Sequence, residues 1–146
     1  MKLYEILEDL SFWIRCRATY LEMKHHLKQV LKGKENNYVK FVYPHDRGIG
    51  KTCALARLSA KYNIPIVVST HNCKREIERG IPSCLPKYFK KKKPTAIVID
   101  DIKTRGKRFD ILLVEESLDN KQQETLLDIS RSRYVGYVNF DWSFLN

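Results

Sequence analysis

The sequence predicts an α/β domain: a mostly parallel sheet flanked by helices, with an N-terminal helical segment ahead of it. Three observations carry this. The runs Ile97-Val98-Ile99 and Ile111-Leu112-Leu113-Val114 are apolar at every position, as strands buried on both faces are. Segments with apolar residues every three or four positions lie between such runs. Strand and helix alternate along the chain, which favours crossover connections and parallel pairing. The 146 residues suit one domain, 1–146, with a helical segment over 1–35 and an α/β core over 38–146. A content of 43% hydrophobic and 11% aromatic residues is enough to build a core.

The elements follow in order. Leu3, Ile6, Leu7, Leu10, Trp13, Ile14, Leu21, Leu27, Val30 and Leu31 fall at helical spacing over residues 3–32. One long helix or two shorter ones, packed on the core, are expected there. Gly33 to Asn37 ends the pattern. Tyr38 to Tyr43 is rich in β-branched and aromatic residues and reads as the first strand. Thr52 to Tyr62 reads as a helix, Ile64 to Thr70 as the second strand, and residues 73–79 as a short helix. Residues 80–94 carry Pro82, Pro86 and Pro94 with a lysine run and read as a loop. Residues 95–99 and 109–114 form the third and fourth strands, 118–131 a helix, and 134–140 the fifth strand.

Lys and Arg number 27 against 17 Asp and Glu, a formal net charge of +10. That balance favours a polyanionic partner, nucleic acid first. Cys16, Cys53, Cys73 and Cys84 form no C-x-x-C pair, and no apolar leader opens the chain. Reduced thiols in a cytoplasmic protein are expected. His71 and Cys73 lack a fourth ligand at a workable spacing, which argues against zinc. No run of about 18 apolar residues occurs, so no membrane span or membrane partner is expected.

Gly48-Ile49-Gly50-Lys51-Thr52 matches the end of the phosphate-loop pattern G-x-x-x-x-G-K-[ST], although His45 stands where the pattern has its first glycine. A strand leads in and a helix leads out. Successive backbone N–H groups and a helix N-terminus both attract anions. Gly48, Ile49, Gly50, Lys51, Thr52 and Cys53 are therefore the expected nucleotide-binding residues. Lys51 would meet the β- and γ-phosphates of ATP, and Thr52 would offer its hydroxyl to Mg²⁺. Such a site also needs an acid at the end of a neighbouring strand. Asp100-Asp101 and Glu115-Glu116 both follow apolar runs.

Residues 104–116, TRGKRFDILLVEE, resemble the segment leading into the Walker B strand of phage terminase large subunits. Residues 46–52, DRGIGKT, resemble the Walker A loop of those proteins, which often lacks the first glycine and carries an early arginine. Ile66 to Thr70 resembles the next strand of that ATPase core, shared more loosely with superfamily-2 helicases. The resemblance covers roughly residues 38–120 and implies a P-loop NTPase-like fold. It implies that Arg47 lies near the γ-phosphate, that Glu115 replaces the usual Walker B aspartate as the Mg²⁺ ligand, and that Glu116 is the catalytic carboxylate. Asp100 and Asp101 are the alternative metal ligands. Arg131-Ser132-Arg133-Tyr134 stands where a coupling motif would lie. A terminase nuclease domain, with its clustered acids, has no counterpart in these residues.

Two basic clusters suit backbone-led, salt-dependent contact with nucleic acid. One is Lys87 to Lys93, containing Lys90, Lys91, Lys92 and Lys93, with Tyr88 and Phe89 interleaved. The other is Lys103, Arg105, Lys107 and Arg108, read as a loop between the third and fourth strands. The function expected is an ATP-binding, ATP-hydrolysing P-loop protein acting with nucleic acid, a terminase- or helicase-like core of phage type without a nuclease domain. If the charge-stabilising arginine comes from a neighbouring subunit, a homo-oligomer or a larger phage or host assembly follows. The alternative is a module that keeps the fold, binds nucleic acid or protein, and does not hydrolyse nucleotide. A nucleotide kinase fits less well, because residues 80–94 are rich in lysine and proline where such an enzyme has an arginine-rich lid.

Overall fold

The computed structural model describes residues 2–42, 50–79, 92–105, 108–129 and 131–139. Helix α1 (Leu3–Leu31) precedes strand β1 (Tyr38–Phe41). Helix α2 (Lys51–Tyr62), β2 (Ile66–Val68), α3 (His71–Arg79) and β3 (Ala96–Val98) follow. Then come α4 (Ile99–Arg105), β4 (Ile111–Val114), α5 (Asn120–Ile129) and β5 (Arg133–Val138). The strands form one five-stranded sheet in the order β1-β5-β4-β2-β3, and every pairing is parallel.

Strand side chains alternate between two helical layers. Ile66, Val68, Ile111, Leu113, Val135 and Tyr137 face one side, with Tyr20, Met23 and Leu27 of α1, Leu55 and Leu58 of α2, and Ile77 of α3. Val67, Leu112, Val114, Tyr134 and Val138 face the other, with Ile99 and Ile102 of α4 and Leu126 of α5. All four residues of β4 are buried, which is why that run shows no polar alternation.

Local chemistry sets the element ends. Asn63 takes a left-handed conformation at φ 55° and closes α2. The Thr70 hydroxyl accepts from the Cys73 N–H at 3.2 Å and starts α3. Asp119 and Gln122 form a reciprocal box at the start of α5: the Gln122 N–H donates to Asp119 at 2.7 Å, and the Asp119 N–H donates to Gln122 at 3.1 Å. Ser59 exchanges two hydrogen bonds with the backbone of Thr95, tying α2 to the entry of β3.

Two expectations are corrected. Residues 99–105 form a helix rather than the end of a strand and a loop, so the backbones of Lys103 and Arg105 are helical. Ile99 and Ile102 sit three residues apart, one turn of helix, and both are buried. Helix α1 is a single element, but only its C-terminal half packs on the core, through Thr19, Tyr20, Met23, Leu27 and Val30. Leu3, Ile6, Leu7, Leu10, Trp13 and Ile14 are exposed. No described helix is long and apolar enough to cross a membrane.

Candidate functional site

The site lies at the C-terminal edge of the parallel sheet, where strands β1, β5 and β4 end side by side. Ligands of open parallel sheets bind at this edge, beside strands that a crossover has separated. Here the chain leaves β1 through α2, passes over the positions later taken by β5 and β4, and enters β2. Strand β5 then fills the gap.

Gly50 caps α2 in a left-handed conformation at φ 78°, which glycine adopts without strain. A Cβ at Gly50 would stand 2.8 Å from the Cys16 Sγ of α1, so the missing side chain also lets α1 approach the loop. The Gly50 carbonyl accepts from the Ala54 N–H at 2.9 Å and begins the helix. Lys51 is the first residue of α2 and is 6% exposed. Its Nζ lies 3.8 Å from Glu116 Oε1, just beyond β4. The contact joins the first turn of α2 to the segment that follows β4. Thr52 and Cys53 follow Lys51 on the first turn of α2, both half-buried.

Glu115 extends β4, its N–H donating to the Val67 carbonyl at 3.3 Å. Burial pushes its carboxyl above the ordinary range. Hydrogen bonding from Ser117, whose N–H donates to Oε2 at 3.0 Å, and the charge of Lys51 offset part of this, while Glu116 adds to it. The Ser69 hydroxyl, just past β2, donates to the Ser117 Oγ at 3.0 Å. Gln122 Nε2 donates to the Ser69 carbonyl at 3.4 Å.

Sequence reading missed a second polar pair at this edge. Gln123 of α5 is 1% exposed. Its Nε2 donates to the Leu118 carbonyl at 2.9 Å and to Asn139 Oδ1 at 2.8 Å. Asn139 directly follows β5, so it stands between the ends of β1 and β4. The only signal was a glutamine at an α5 position whose helical neighbour, Leu126, is core.

Asp100 and Asp101 begin α4 beyond β3, the strand at the far edge of the sheet. Three strands separate β3 from β1, so the structure brings Glu116, and not this pair, to Lys51. Arg133 begins β5 and thus lies at the opposite end of the sheet from Lys51 and Glu116. Arg131-Ser132-Arg133-Tyr134 is therefore not beside the site. The same holds for Lys92, Lys93 and Arg108, exposed on the segments entering β3 and β4. Arg108 helps line a cavity of about 340 Å³ at that end, with Leu31, Tyr62, Pro65 and Asp110. Arg47, Gly48, Ile49, Lys90, Lys91 and Lys107 lie outside the described residues, as do His45 and Cys84.

Cys16 and Cys73 are free thiols, and burial raises the Cys16 thiol above its ordinary pKa. Cys53 is disulfide-bonded, which corrects the expectation that all the thiols are reduced. Among the described residues, no group of three or more His, Cys, Asp or Glu side chains could hold a metal by itself. Comparison of the chain with known protein families, curated proteins and solved structures finds no match.

Proposed function

We propose that the chain is a P-loop protein that binds and hydrolyses ATP and acts with nucleic acid. The observation that carries the proposal is the meeting of Lys51 Nζ, at the start of α2, and Glu116 Oε1, just past β4, at 3.8 Å. A cation at a helix N-terminus and a carboxylate after a buried strand are the two charges such a reaction needs on opposite sides of a transferring phosphoryl group. The donor set fits a magnesium–triphosphate: the first-turn amides of α2, the Lys51 ammonium, the Thr52 hydroxyl and the Glu115 carboxylate. Bound magnesium and triphosphate would supply the electrophilic phosphorus and the counter-charge for its oxygens.

The chain's own residues do the rest. Lys51 exchanges Glu116 for phosphate oxygens and neutralises their charge. Glu116, 33% exposed, is released to orient a water and accept its proton at Oε1. Ser117 fixes Glu115 through its N–H, and Asn139, held by Gln123, offers a polar group between the two charged residues. Nucleic acid contact would use the basic end of the sheet, around Lys92, Lys93 and Arg108, opposite the nucleotide edge. This follows from the +10 net charge and is salt-dependent.

The test is phosphate release from Mg²⁺-ATP with and without single-stranded DNA, alongside binding of a fluorescent ATP analogue. Lys51→Ala should lose binding. Glu116→Gln should keep binding and lose turnover by about 10²–10⁴-fold, the scale for losing a positioned general base. Binding that is indifferent to Lys51→Ala would remove the proposal's foundation. The second reading, a module that binds without turnover, draws on Glu115: a buried carboxyl with a raised pKa is a poorer cation ligand than a free aspartate. Binding with no phosphate release above the Glu116→Gln background would favour it.

A further inference from the structure

We propose that Arg17, Lys24, Lys28, Arg57 and Lys61 line a track along the seam between α1 and α2 that grips the phosphodiester backbone of a single nucleic acid strand. This rests on the reading that the chain acts with nucleic acid, and it assigns part of that contact to residues that no motif marks.

The two helices lie side by side and run in the same direction. The start of α2 meets α1 where Gly50 approaches Cys16. Further along, the Arg57 guanidinium of α2 lies 3.7 Å from the centroid of the Tyr20 ring of α1. Lys61 then comes within hydrogen-bonding reach of Lys24. At the foot of the seam, Leu31 and Tyr62, the last residues of the two helices, line the cavity that also contains Arg108.

Cations gather along this seam from both helices. Arg17 Cζ and Lys24 Nζ lie 5.7 and 5.8 Å from the same Tyr20 centroid. Arg17, Lys24 and Lys28 recur at helical spacing on one face of α1. Arg57 and Lys61 share one face of α2, a helix that contains no acid. The tyrosine ring draws cations to its face but carries no net charge to balance them. Lys61 accordingly lowers the pKa of the Lys24 ammonium, with desolvation, Lys28 and Arg17 adding to the effect. An anion between Lys24 and Lys61 relieves this repulsion. The acids of α1 do not serve. Glu22 is turned roughly 160° round the helix from Lys24, and it accepts from the Tyr38 hydroxyl at 2.5 Å and from Lys40 at 3.2 Å. Glu5, Glu8 and Asp9 precede Arg17 by two turns of helix or more.

Shape selects the ligand. Arg57 is half-buried, while Arg17, Lys28 and Lys61 are exposed beside it, so the charges border a furrow between helices. A nucleic acid strand enters such a furrow, whereas a lipid surface meets only its rim. From Arg17 to Lys28 the track rises roughly 16 Å at 1.5 Å per residue. That length takes about five phosphates at about 3.4 Å each along a strand. It leads toward the end of the sheet that carries Lys92, Lys93 and Arg108.

Lysine acetylation of the unaltered chain, with and without a fluorescent oligothymidylate, tests this. The bound oligonucleotide should slow acetylation of Lys24, Lys28 and Lys61 and leave Lys121, exposed on α5, unchanged. Fluorescence anisotropy gives the second measurement. The chain carrying Lys24→Gln and Lys61→Gln should bind more weakly, and the slope of log affinity against log salt should shrink by about 1.4, two phosphates at about 0.7 each. Neither position belongs to the core, so the unfolding midpoint should match the parent's. Protection confined to Lys92 and Lys93, with the double variant binding as the parent does, would overturn the track and leave the nucleic acid reading standing. Failure of the unaltered chain to bind the oligonucleotide would overturn both. Protection by phosphatidylglycerol vesicles in place of the oligonucleotide, or equal protection by inorganic phosphate at the same phosphate concentration, would overturn the track as well.

Discussion

Replacing Gly136 with alanine is expected to destabilise the middle of the sheet. Gly136 lies in β5, paired with Val39 of β1 on one side and Val114 of β4 on the other. Its φ of 155° is one that side-chain-bearing residues rarely adopt. A Cβ there would stand 2.1 Å from the Val114 carbonyl oxygen, more than 1 Å short of the 3.4 Å at which ordinary contact begins. The obstruction is backbone, so no side chain can swing away. Backbone strain adds about 1–3 kcal/mol, and forcing an atom into packed structure adds about 1–3 kcal/mol more. Against a total stability of about 5–15 kcal/mol, a loss of about 3–5 kcal/mol lowers the melting temperature by roughly 10 °C or more at about 2–4 °C per kcal/mol. Thermal unfolding followed by circular dichroism reads this directly. Gly33→Ala is the control: φ is 75°, but nothing lies within 4 Å of the added Cβ, so the loss should stay near 1–2 kcal/mol. A Gly136→Ala chain that melts within about 2 °C of the parent, less than 1 kcal/mol on the same scale, refutes the argument.

Glu115→Gln should stabilise the chain near pH 7. The folded carboxyl titrates above its unfolded value, so the native state holds the extra proton and loses stability as pH rises through the folded pKa. The gain from glutamine should therefore shrink as pH falls toward about 4, the ordinary carboxylate range; urea unfolding at several pH values checks this, and a pH-independent difference would contradict it. Arg133→Ala should cost about 1–3 kcal/mol, because its guanidinium donates to the Val30 carbonyl at 2.6 Å and to Asp110 at 2.7 Å, joining α1 to β5. Asp110→Ala should cost less than about 1 kcal/mol, since Asp110 is 85% exposed; the two unfolding midpoints measured together test the ranking.

The strands were legible because burial on both faces leaves a mark on every residue, as β4 demonstrates. Helix α4 was not. Only Ile99 and Ile102 record its buried side, and the basic residues beyond them look like a loop. Periodicity marked α1 as helical without separating its two stripes, because both recur at the same spacing and only packing tells which one meets the core. The charged residues of the site could be named from local motifs, but their juxtaposition could not. Lys51 and Glu116 are brought together by strand order, which depends on pairings between distant parts of the chain. Gln123 and Asn139 belong to no motif, and their contact exists only once α5 lies against the end of β5.

Strand β5 is the last of the described strands in sequence, yet it occupies a position between β1 and β4. Until it arrives, β1 has no hydrogen-bonding neighbour, and β4, β2 and β3 form a separate half-sheet with an open flank. A ribosome-bound chain would thus hold two incomplete pieces, and closing them is a single late event that joins residues about a hundred positions apart, as Tyr38 and Val135 are. Such long-range closure is slow.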